Sequence, residues 1–246
     1  MKTKTFAVAA VAAALLLAAG CCLLPSRWRG PLAATPWIEV TPENGVWDDY
    51  YRRTNDPDGC SFRFRVTRLA AGVGVEAFVR DSRTSVDDCP PGSVSCATWK
   101  DDCLEVFFDG DLDRNPDTRG PDDDNPLPCN AGGEYAVAAN GSSQSDYASS
   151  KKCFGRLWGG KVEPWTEDGV RVGTHYDLWF DWECLGRDAP SKDEEAAFGF
   201  TICVHDDDDG GPCDYALYWK GNPARPYADE SAFGTVYFTA GGAEIW

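Results

Sequence analysis

The feature that most constrains the fold of this chain is a period-two alternation of apolar residues. It recurs in four segments: Val73, Val75, Ala77 and Val79; Leu104, Val106 and Phe108; Tyr176, Leu178, Phe180 and Trp182; and Phe198, Phe200, Ile202 and Val204. Such alternation predicts β-strands with one buried face. No stretch of a dozen residues keeps the helical period, and Gly, Pro and Asp clusters separate the runs. The sequence therefore predicts an all-β fold, a disulfide-containing β-sandwich of the jelly-roll type.

The first 20 residues predict export. Lys2 and Lys4 precede an apolar run that ends at Ala19, which is the pattern of a secretory signal peptide. The following Gly20-Cys21 resembles the end of a bacterial lipobox, whose cysteine is lipidated after cleavage. We expect Cys21 to carry a lipid, and ordinary cleavage near Ala19 is the alternative.

The chain then divides into a signal peptide (1–20), a lipoprotein tether (21–36) and a β-sandwich domain (37–246). The predicted location is the bacterial cell envelope, with the membrane contacted only through the lipid anchor, or the exterior if the chain is secreted. Removal of two lysines with the signal peptide leaves 21 of the 23 basic residues against 40 acidic ones, a formal charge of −19. This charge disfavours nucleic acid and anionic membranes and favours cations or uncharged polar partners.

The 11 cysteines agree with export, because disulfides form in oxidising compartments. The spacings of Cys89 with Cys96 and of Cys203 with Cys213 suit small closed loops. Zinc is the competing interpretation, but the chain has no Cys-x-x-Cys pair. We therefore predict that most cysteines from Cys60 to Cys213 form disulfides.

An acidic comb follows the second alternating segment, with oxygen-bearing side chains at every second position: Asp109, Asp111, Asp113, Asn115 and Asp117. Calcium takes six to eight oxygen ligands and tolerates irregular loops, and like charges so close repel one another without a cation. We predict a structural calcium ion there, with a solvated acidic loop as the alternative; the loop is not an EF-hand, because the expected Gly and terminal Glu are missing. For the second acidic run, residues 205–211, we predict a solvated loop.

The order of several segments resembles the family 9 carbohydrate-binding modules. They are W-x-x-D-x-x-E-V-F-F-D (residues 99–109), YDLWFDWECL, AFGFTICVHDDD and the terminal YWKGN followed by FGTVYF, and the resemblance runs from about residue 37 to about residue 238. It implies a sandwich that binds sugars, often at the reducing ends of β-glucan or xylan chains, between two tryptophan rings with structural calcium nearby.

Carried over residue by residue, the resemblance implies that Trp99 and Trp219 clamp the sugar and that Glu105 accepts hydrogen bonds from its hydroxyls. The implied partner is an oligosaccharide or polysaccharide, and the implied role is non-catalytic assistance to glycan degradation. The chain departs from the family where an amide is expected just before the second tryptophan, since CDYALYW contains none.

Three other classes of protein are compatible with a β-sandwich. Haem ligation by Met and His is excluded because the one methionine is Met1, and a bis-histidine site would need both His175 and His205 in acidic surroundings. A glycoside hydrolase needs two facing carboxylates, for which Glu105, Asp181 and Glu183 are the candidates. The third alternative is a structural or adhesion module of the envelope that has lost sugar binding.

Overall fold

The computed structural model describes residues 31–48, 60–81, 83–84, 86, 88–94, 96–114, 133–145, 157–208, 210, 213–224 and 229–246. The predicted signal peptide, Cys21, Asn115 and Asp117 lie outside these residues. None of the helical segments in the described part of the chain is long and apolar enough to cross a membrane.

The described residues form strands joined by turns, with three short 3-10 segments at Thr98–Lys100, Trp182–Leu185 and Glu230–Ala232. In chain order the strands are β1 (Ala33–Ala34), β2 (Ile38–Val40), β3 (Val46–Trp47), β4 (Ser61–Leu69), β5 (Gly72–Arg80), β6 (Cys103–Asp109), β7 (Glu134–Ala138), β8 (Ser143–Ser145), β9 (Trp158–Glu167), β10 (Val170–Asp181), β11 (Ala196–Asp206), β12 (Tyr215–Tyr218), β13 (Gly234–Thr239) and β14 (Gly242–Ile245).

The strands form two antiparallel sheets. The six-stranded sheet has the order β1-β4-β5-β10-β9, with β2 also paired to β4. The eight-stranded sheet has the order β14-β13-β11-β6-β7-β8, with β12 joining β11 to β3. The predicted all-β sandwich is confirmed.

The core lies between the sheets and consists of the alternating residues that the sequence singled out. Phe62, Phe64 and Val66 continue the pattern on β4, and all four predicted sets are buried in one cluster. Trp182 is also in this core, but β10 ends before it. A 3-10 turn begins there, capped by Asp181, whose Oδ1 accepts a hydrogen bond from the Glu183 amide at 3.2 Å.

The two central strands of the larger sheet, β6 and β11, are buried on both faces, whereas the alternation predicted one buried face. All seven residues of β6 are buried. On the face away from the core, Phe107, Cys203, Ala216, Tyr218 and Phe233 form a second apolar cluster. Because Phe233 comes from the chain before β13, this covering of the outer face depends on tertiary packing and leaves no periodic signal.

The sandwich begins inside the segment predicted to be a tether. Backbone bonds join the Leu32 amide to the Arg68 carbonyl and the Thr35 amide to the Val66 carbonyl, each at 2.8 Å. The Thr35 hydroxyl also accepts a hydrogen bond from the Val66 amide. A two-residue strand at the edge of β4 is too short to show alternation, which is why the sequence missed it.

One predicted disulfide is present and the other is not. Cys89 and Cys96 are bonded and close the loop that precedes Thr98–Lys100. Cys203 and Cys213 are thiols, as are Cys103 and Cys184, so the prediction that most cysteines are bonded is wrong for the described residues. The physical reason is placement, since Cys203 faces Glu105 on the neighbouring strand while the Cys213 thiol bonds the Tyr215 carbonyl at 3.0 Å.

Candidate functional site

Trp99 lies at the surface end of the eight-stranded sheet, in the 3-10 turn between the disulfide loop and β6. Its ring is half-buried, with the ammonium of Lys100 5.7 Å from the ring centroid. Lys100 in turn forms an ion pair with Asp88 at 3.3 Å. The ring therefore has charged hydrogen-bonding groups beside it, as a sugar site requires.

Trp219, the second predicted clamp residue, has different surroundings. It follows β12, is 9% exposed and belongs to the core cluster. Its ring centroid is 5.3 Å from that of Phe64 and 6.1 Å from that of Phe200. A side chain at Gly234 would collide with the Trp219 ring, so this glycine makes room for it. Most of the ring surface is thus taken up by the protein itself.

Glu105, the predicted acceptor of sugar hydroxyls, is 3% exposed on the outer face of β6. Its Oε2 lies 3.0 Å from His205 Nε2 and 3.7 Å from Cys203 Sγ. Burial disfavours the charged imidazole, but the Glu105 carboxylate and the Cys213 and Cys203 groups outweigh it and raise the pKa of His205 well above its ordinary value. In this arrangement the carboxylate is held by the protein.

The second acidic run is not a solvated loop at its start, so that prediction is corrected. His205, Asp206 and Asp207 are all buried. The backbone amide of Asp207 donates to Asp102 Oδ1 at 2.7 Å, and Asp207 Oδ1 accepts from the Gly210 amide at 2.9 Å. Strand β11 continues to Asp206, so the first acids of the run are held against the start of β6.

A cluster of potential metal ligands surrounds Glu105, and sequence reasoning missed it. The register of β6 and β11 pairs Cys203 with Glu105 and His205 with Cys103. One ligand atom from each of Glu105, Cys203 and His205 lies within 4.8 Å of the others. No local motif could reveal it, because about 100 residues separate the two strands in the sequence.

The acidic comb is only partly brought together. Carboxylate oxygens of Asp109 and Asp113 lie within 4.8 Å of each other and of Glu230, which sequence reasoning did not select. Asp111 instead accepts a hydrogen bond from the Asp113 amide at 2.9 Å. Leu112 and Arg114 have positive φ values of 64° and 58°, so the loop turns tightly here.

Asp109 is the unusual member of this acidic group. It is fully buried, and neither carboxylate oxygen has a hydrogen-bond partner. Burial raises the pKa of Asp109 to about 6, although the Arg114 guanidinium, 3.9 Å away, acts to lower it. Gly199 lies opposite on β11, where any side chain would collide with the Asp109 carboxylate. A buried carboxylate with unsatisfied oxygens beside two further acids fits a hard cation such as calcium.

A third group brings together carboxylates from the ends of three strands. Oxygens of Asp81, Asp102 and Asp206 lie within 4.8 Å of one another. Asp81 follows β5, Asp102 precedes β6 and Asp206 ends β11, so only the folded sandwich places them together. The sequence offered no signal for this group.

The candidate hydrolase acids do not form a facing pair. Glu105 lies on the face of the eight-stranded sheet that points away from the core, whereas Asp181 ends β10 in the six-stranded sheet. Asp181 is occupied in capping the turn at Glu183. Glu105 and Asp181 therefore belong to different sheets, and Glu105 points away from the core that lies between those sheets.

Comparison with solved structures finds the same two-sheet sandwich in other proteins. A family 9 module from Caldicellulosiruptor kristjanssonii in complex with cellotriose matches with a TM-score of 0.53 and 16% identity, over 78% of this chain and 80% of that one. The same organism's module in complex with glucose matches with a TM-score of 0.51 and 15% identity, over 78% and 83%. A protein of Bacteroides uniformis that has been assigned as carbohydrate-binding also matches. The TM-score is 0.51 and the identity 12%, over 92% of this chain and 90% of that one.

These likenesses show the fold: the chain has a sandwich like that of the family 9 carbohydrate-binding modules. No protein-family model matches the sequence, and no curated protein does.

Proposed function

We propose that this protein is an exported, non-catalytic carbohydrate-binding protein that recognises an oligosaccharide or polysaccharide and assists glycan degradation. The observation that supports it most is the sandwich shared over 78% of the chain with modules in complex with cellotriose and glucose. The predicted charge of −19 is compatible with a neutral sugar and unfavourable for polyanions. Attachment to the envelope through Cys21 is part of the proposal, and that residue lies outside the described residues.

In the proposed site, the half-buried ring of Trp99 provides the aromatic face. Sugars present C–H patches that pack on aromatic rings, while charged groups bond the hydroxyls, and the Trp99 turn offers both. The sequence also predicted a sugar clamp that Trp219 and Glu105 complete. Such a clamp needs more exposed side-chain surface than these residues have, since Trp219 is 9% exposed and Glu105 is 3% exposed. A sugar would have to displace core neighbours such as Phe64 and Phe200 to reach the Trp219 ring, so Trp99 carries most of the expected binding.

We further propose a structural calcium ion bound by Asp109, Asp113 and Glu230. The buried carboxylate of Asp109 supports it, because no hydrogen-bond partner lies close to its oxygens and the Arg114 guanidinium is 3.9 Å away. Asn115 and Asp117 remain predicted additional ligands from the same loop, and Asp111 remains a predicted ligand whose side chain is turned to the Asp113 amide.

Titration calorimetry with glucose, cellotriose and xylo-oligosaccharides tests the function. Stacking on a pre-formed aromatic face contributes on the order of 1 to 3 kcal/mol, so Trp99→Ala should weaken binding about tenfold or more with little change in melting temperature. Trp246→Ala is the matched control, since Trp246 is 57% exposed and its ring contacts Tyr237 at the β13–β14 edge of the sheet. Absence of binding by the unmodified protein, or equal affinity in Trp99→Ala, would contradict the proposal.

One observation favours a second function, a structural or adhesion module without sugar binding. Trp219 packs in the core, as expected of a sandwich in which the space between the two tryptophan rings is filled by the protein's own side chains. If this function is right, Trp219→Ala lowers stability by the roughly 3 to 5 kcal/mol of an emptied core site, and none of the sugars binds the unmodified protein.

A further inference from the structure

We propose that Cys103, Glu105, Cys203 and His205 bind a zinc ion on the outer face of the eight-stranded sheet. The site is separate from the proposed calcium site and does not depend on sugar binding. Neither the resemblance nor the structural comparisons point to it, since it follows from the register of β6 and β11 alone.

The register places four donor side chains at paired positions of β6 and β11. Residues 103 and 105 point to one face of β6, and residues 203 and 205 point to the same face of β11. Cys203 is paired directly with Glu105, and His205 directly with Cys103. Directly paired side chains in an antiparallel sheet have Cβ atoms roughly 4.5 to 5.5 Å apart, which allows their outer atoms to meet at one ion.

The measured separations suit a tetrahedral ion. Zinc bonds of about 2.0 to 2.3 Å place the ligand atoms of a tetrahedral site roughly 3.3 to 3.8 Å apart. Glu105 Oε2 lies 3.7 Å from Cys203 Sγ and 3.0 Å from His205 Nε2. A cation between these three atoms would open the shorter separation by a few tenths of an ångström. Of the four residues, only these three have their ligand atoms within 4.8 Å of one another. Cys103, cross-strand from His205, is the proposed fourth ligand, and its Sγ must move closer to complete the site.

The donor chemistry selects zinc over calcium. Two thiols, an imidazole and a single carboxylate are the ligands of Zn²⁺, whereas Ca²⁺ needs six or more oxygens. Burial also favours a closed structural site, because all four side chains are within a few per cent of complete burial.

Cys213 has a different role, which is to position the imidazole. Its Sγ lies 3.3 Å from His205 Nδ1, the ring nitrogen that faces away from Glu105. A partner at Nδ1 sets the tautomer, so that Nε2 keeps its lone pair for the metal. The same thiol bonds the Tyr215 carbonyl, which holds it in place.

Disulfide formation explains the cluster less well. Three thiols, those of Cys103, Cys203 and Cys213, surround the same imidazole, and one disulfide would leave one of them over. A buried Glu105–His205 ion pair explains the 3.0 Å distance but not the thiols around it. A metal ion uses the whole donor set.

Zinc binding releases protons from its ligands, and this release balances the added charge. Burial raises the pKa of the Cys203 thiol to about 12 and that of the Cys103 thiol well above its usual value, so both are protonated without a cation. Zinc replaces the two thiol protons and any proton on His205 Nε2, and these pass to solvent. Zinc affinity should therefore increase with pH.

The test uses the untagged full-length protein, reduced, treated with chelator and then titrated with zinc alone. One zinc per chain is expected by elemental analysis, with a raised melting temperature because zinc binds only the folded state. Cobalt in place of zinc should give a thiolate-to-metal charge-transfer band and the visible bands of a tetrahedral ion. Excess calcium should not displace either metal.

Variants assign the ligands. Cys213→Ser should weaken zinc binding about 10- to 100-fold, the usual effect of losing a partner of a ligating histidine. Cys203→Ser should weaken it further and remove the charge-transfer band. Cys184→Ser is the matched control, a buried thiol that bonds the Leu157 carbonyl away from the cluster, and it should bind zinc as the unmodified protein does.

Three results would overturn the proposal. They are no zinc uptake by the reduced unmodified protein, equal zinc affinity in Cys203→Ser, and a disulfide between Cys203 and Cys213 in the unreduced protein by mass spectrometry. The first and third need no variant, so poor folding of a substituted chain does not weaken the test.

Discussion

Strand β6 has two donor clusters of opposite chemistry on one face. At its start, Cys103 and Glu105 meet Cys203 and His205, a set with sulfur and nitrogen donors. At its end, Asp109 meets Asp113 and Glu230, a set with oxygen donors alone. Phe107 lies between them and packs in the outer apolar cluster, which separates the two polar sites.

The comparison shows how differently the two clusters are satisfied. The Glu105 carboxylate has His205 as a close partner, so its burial is compensated within the protein. The Asp109 carboxylate has no hydrogen-bond partner, and its companion Asp113 is exposed. The first cluster should therefore hold the metal-free fold together, whereas the second should contribute to stability mainly when a cation binds.

The largest effect should come from breaking the buried pair. His205→Ala removes the partner of a buried carboxylate, which typically costs about 3 to 5 kcal/mol of unfolding free energy. Asp113→Ala, in the exposed part of the other cluster, should change it by less than about 0.5 kcal/mol. Urea unfolding of both variants in the presence of chelator measures this. A similar loss of unfolding free energy in both variants would show that the two clusters contribute equally to the metal-free fold.

Calcium should act on the oxygen cluster alone. At a calcium concentration 100 times its dissociation constant, the folded protein gains about 2.7 kcal/mol of stability. Asp109→Asn should abolish the gain, while Asp168→Asn removes an equal charge from the exposed β9–β10 turn and should retain it. Melting curves with calcium and with chelator provide the measurement, and identical curves for the unmodified protein would exclude a calcium site.

A smaller effect should follow from crowding Asp109. In Gly199→Ala the new methyl group collides with the Asp109 side chain, and such overpacking typically costs about 1 to 3 kcal/mol. The calcium response should weaken as well. Gly242→Ala is the control, because a methyl group there meets nothing within 4 Å. Equal stability of the two variants would show that Asp109 lies elsewhere.

The smallest effect should be a pH slope in chelator. Burial raises the pKa of Asp109 to about 6, so between about pH 4 and 6 the folded protein keeps a proton that the unfolded chain has released. Stability from this group is present at low pH and is lost as the pH rises, by at most about 1.4 kcal/mol per pH unit. Asp109→Asn should flatten the slope relative to the unmodified protein. Parallel slopes for the two proteins would contradict the raised pKa.

Much of the fold could be predicted from residues alone. Alternation identified β5, β6, β10 and β11, because a residue facing the core must be apolar whatever covers the other face. It failed at β1, which is too short for a pattern, and at the outer faces of β6 and β11. Covering those faces depends on Phe233 and β12, which are distant in sequence.

The candidate sites divide along the same line. The acidic comb could be recognised in the sequence because its members are neighbours in the chain. In the structure, however, Glu230 lies beside Asp109 and Asp113, and the Asp111 carboxylate instead accepts a hydrogen bond from the Asp113 amide. The sulfur and imidazole cluster was invisible, and Glu105 was interpreted as a sugar ligand and His205 as part of a solvated loop. Trp219 was interpreted as a clamp residue, and its contacts with Phe64 and Phe200 are made across the core.

The sequence by itself determined the all-β class and the inward faces of the long strands, because each depends on residues close together in the chain. The spacing of Cys89 and Cys96 suited a loop closure no better than that of Cys203 and Cys213, and only the fold decided between them. Tertiary structure alone decided which side chains share a site. Strand register pairs Cys203 with Glu105 across about 100 residues, and a shift of one residue would turn each of these side chains to the opposite face of its sheet. That register is set by the packing of two sheets as a whole, which no local stretch of the chain encodes.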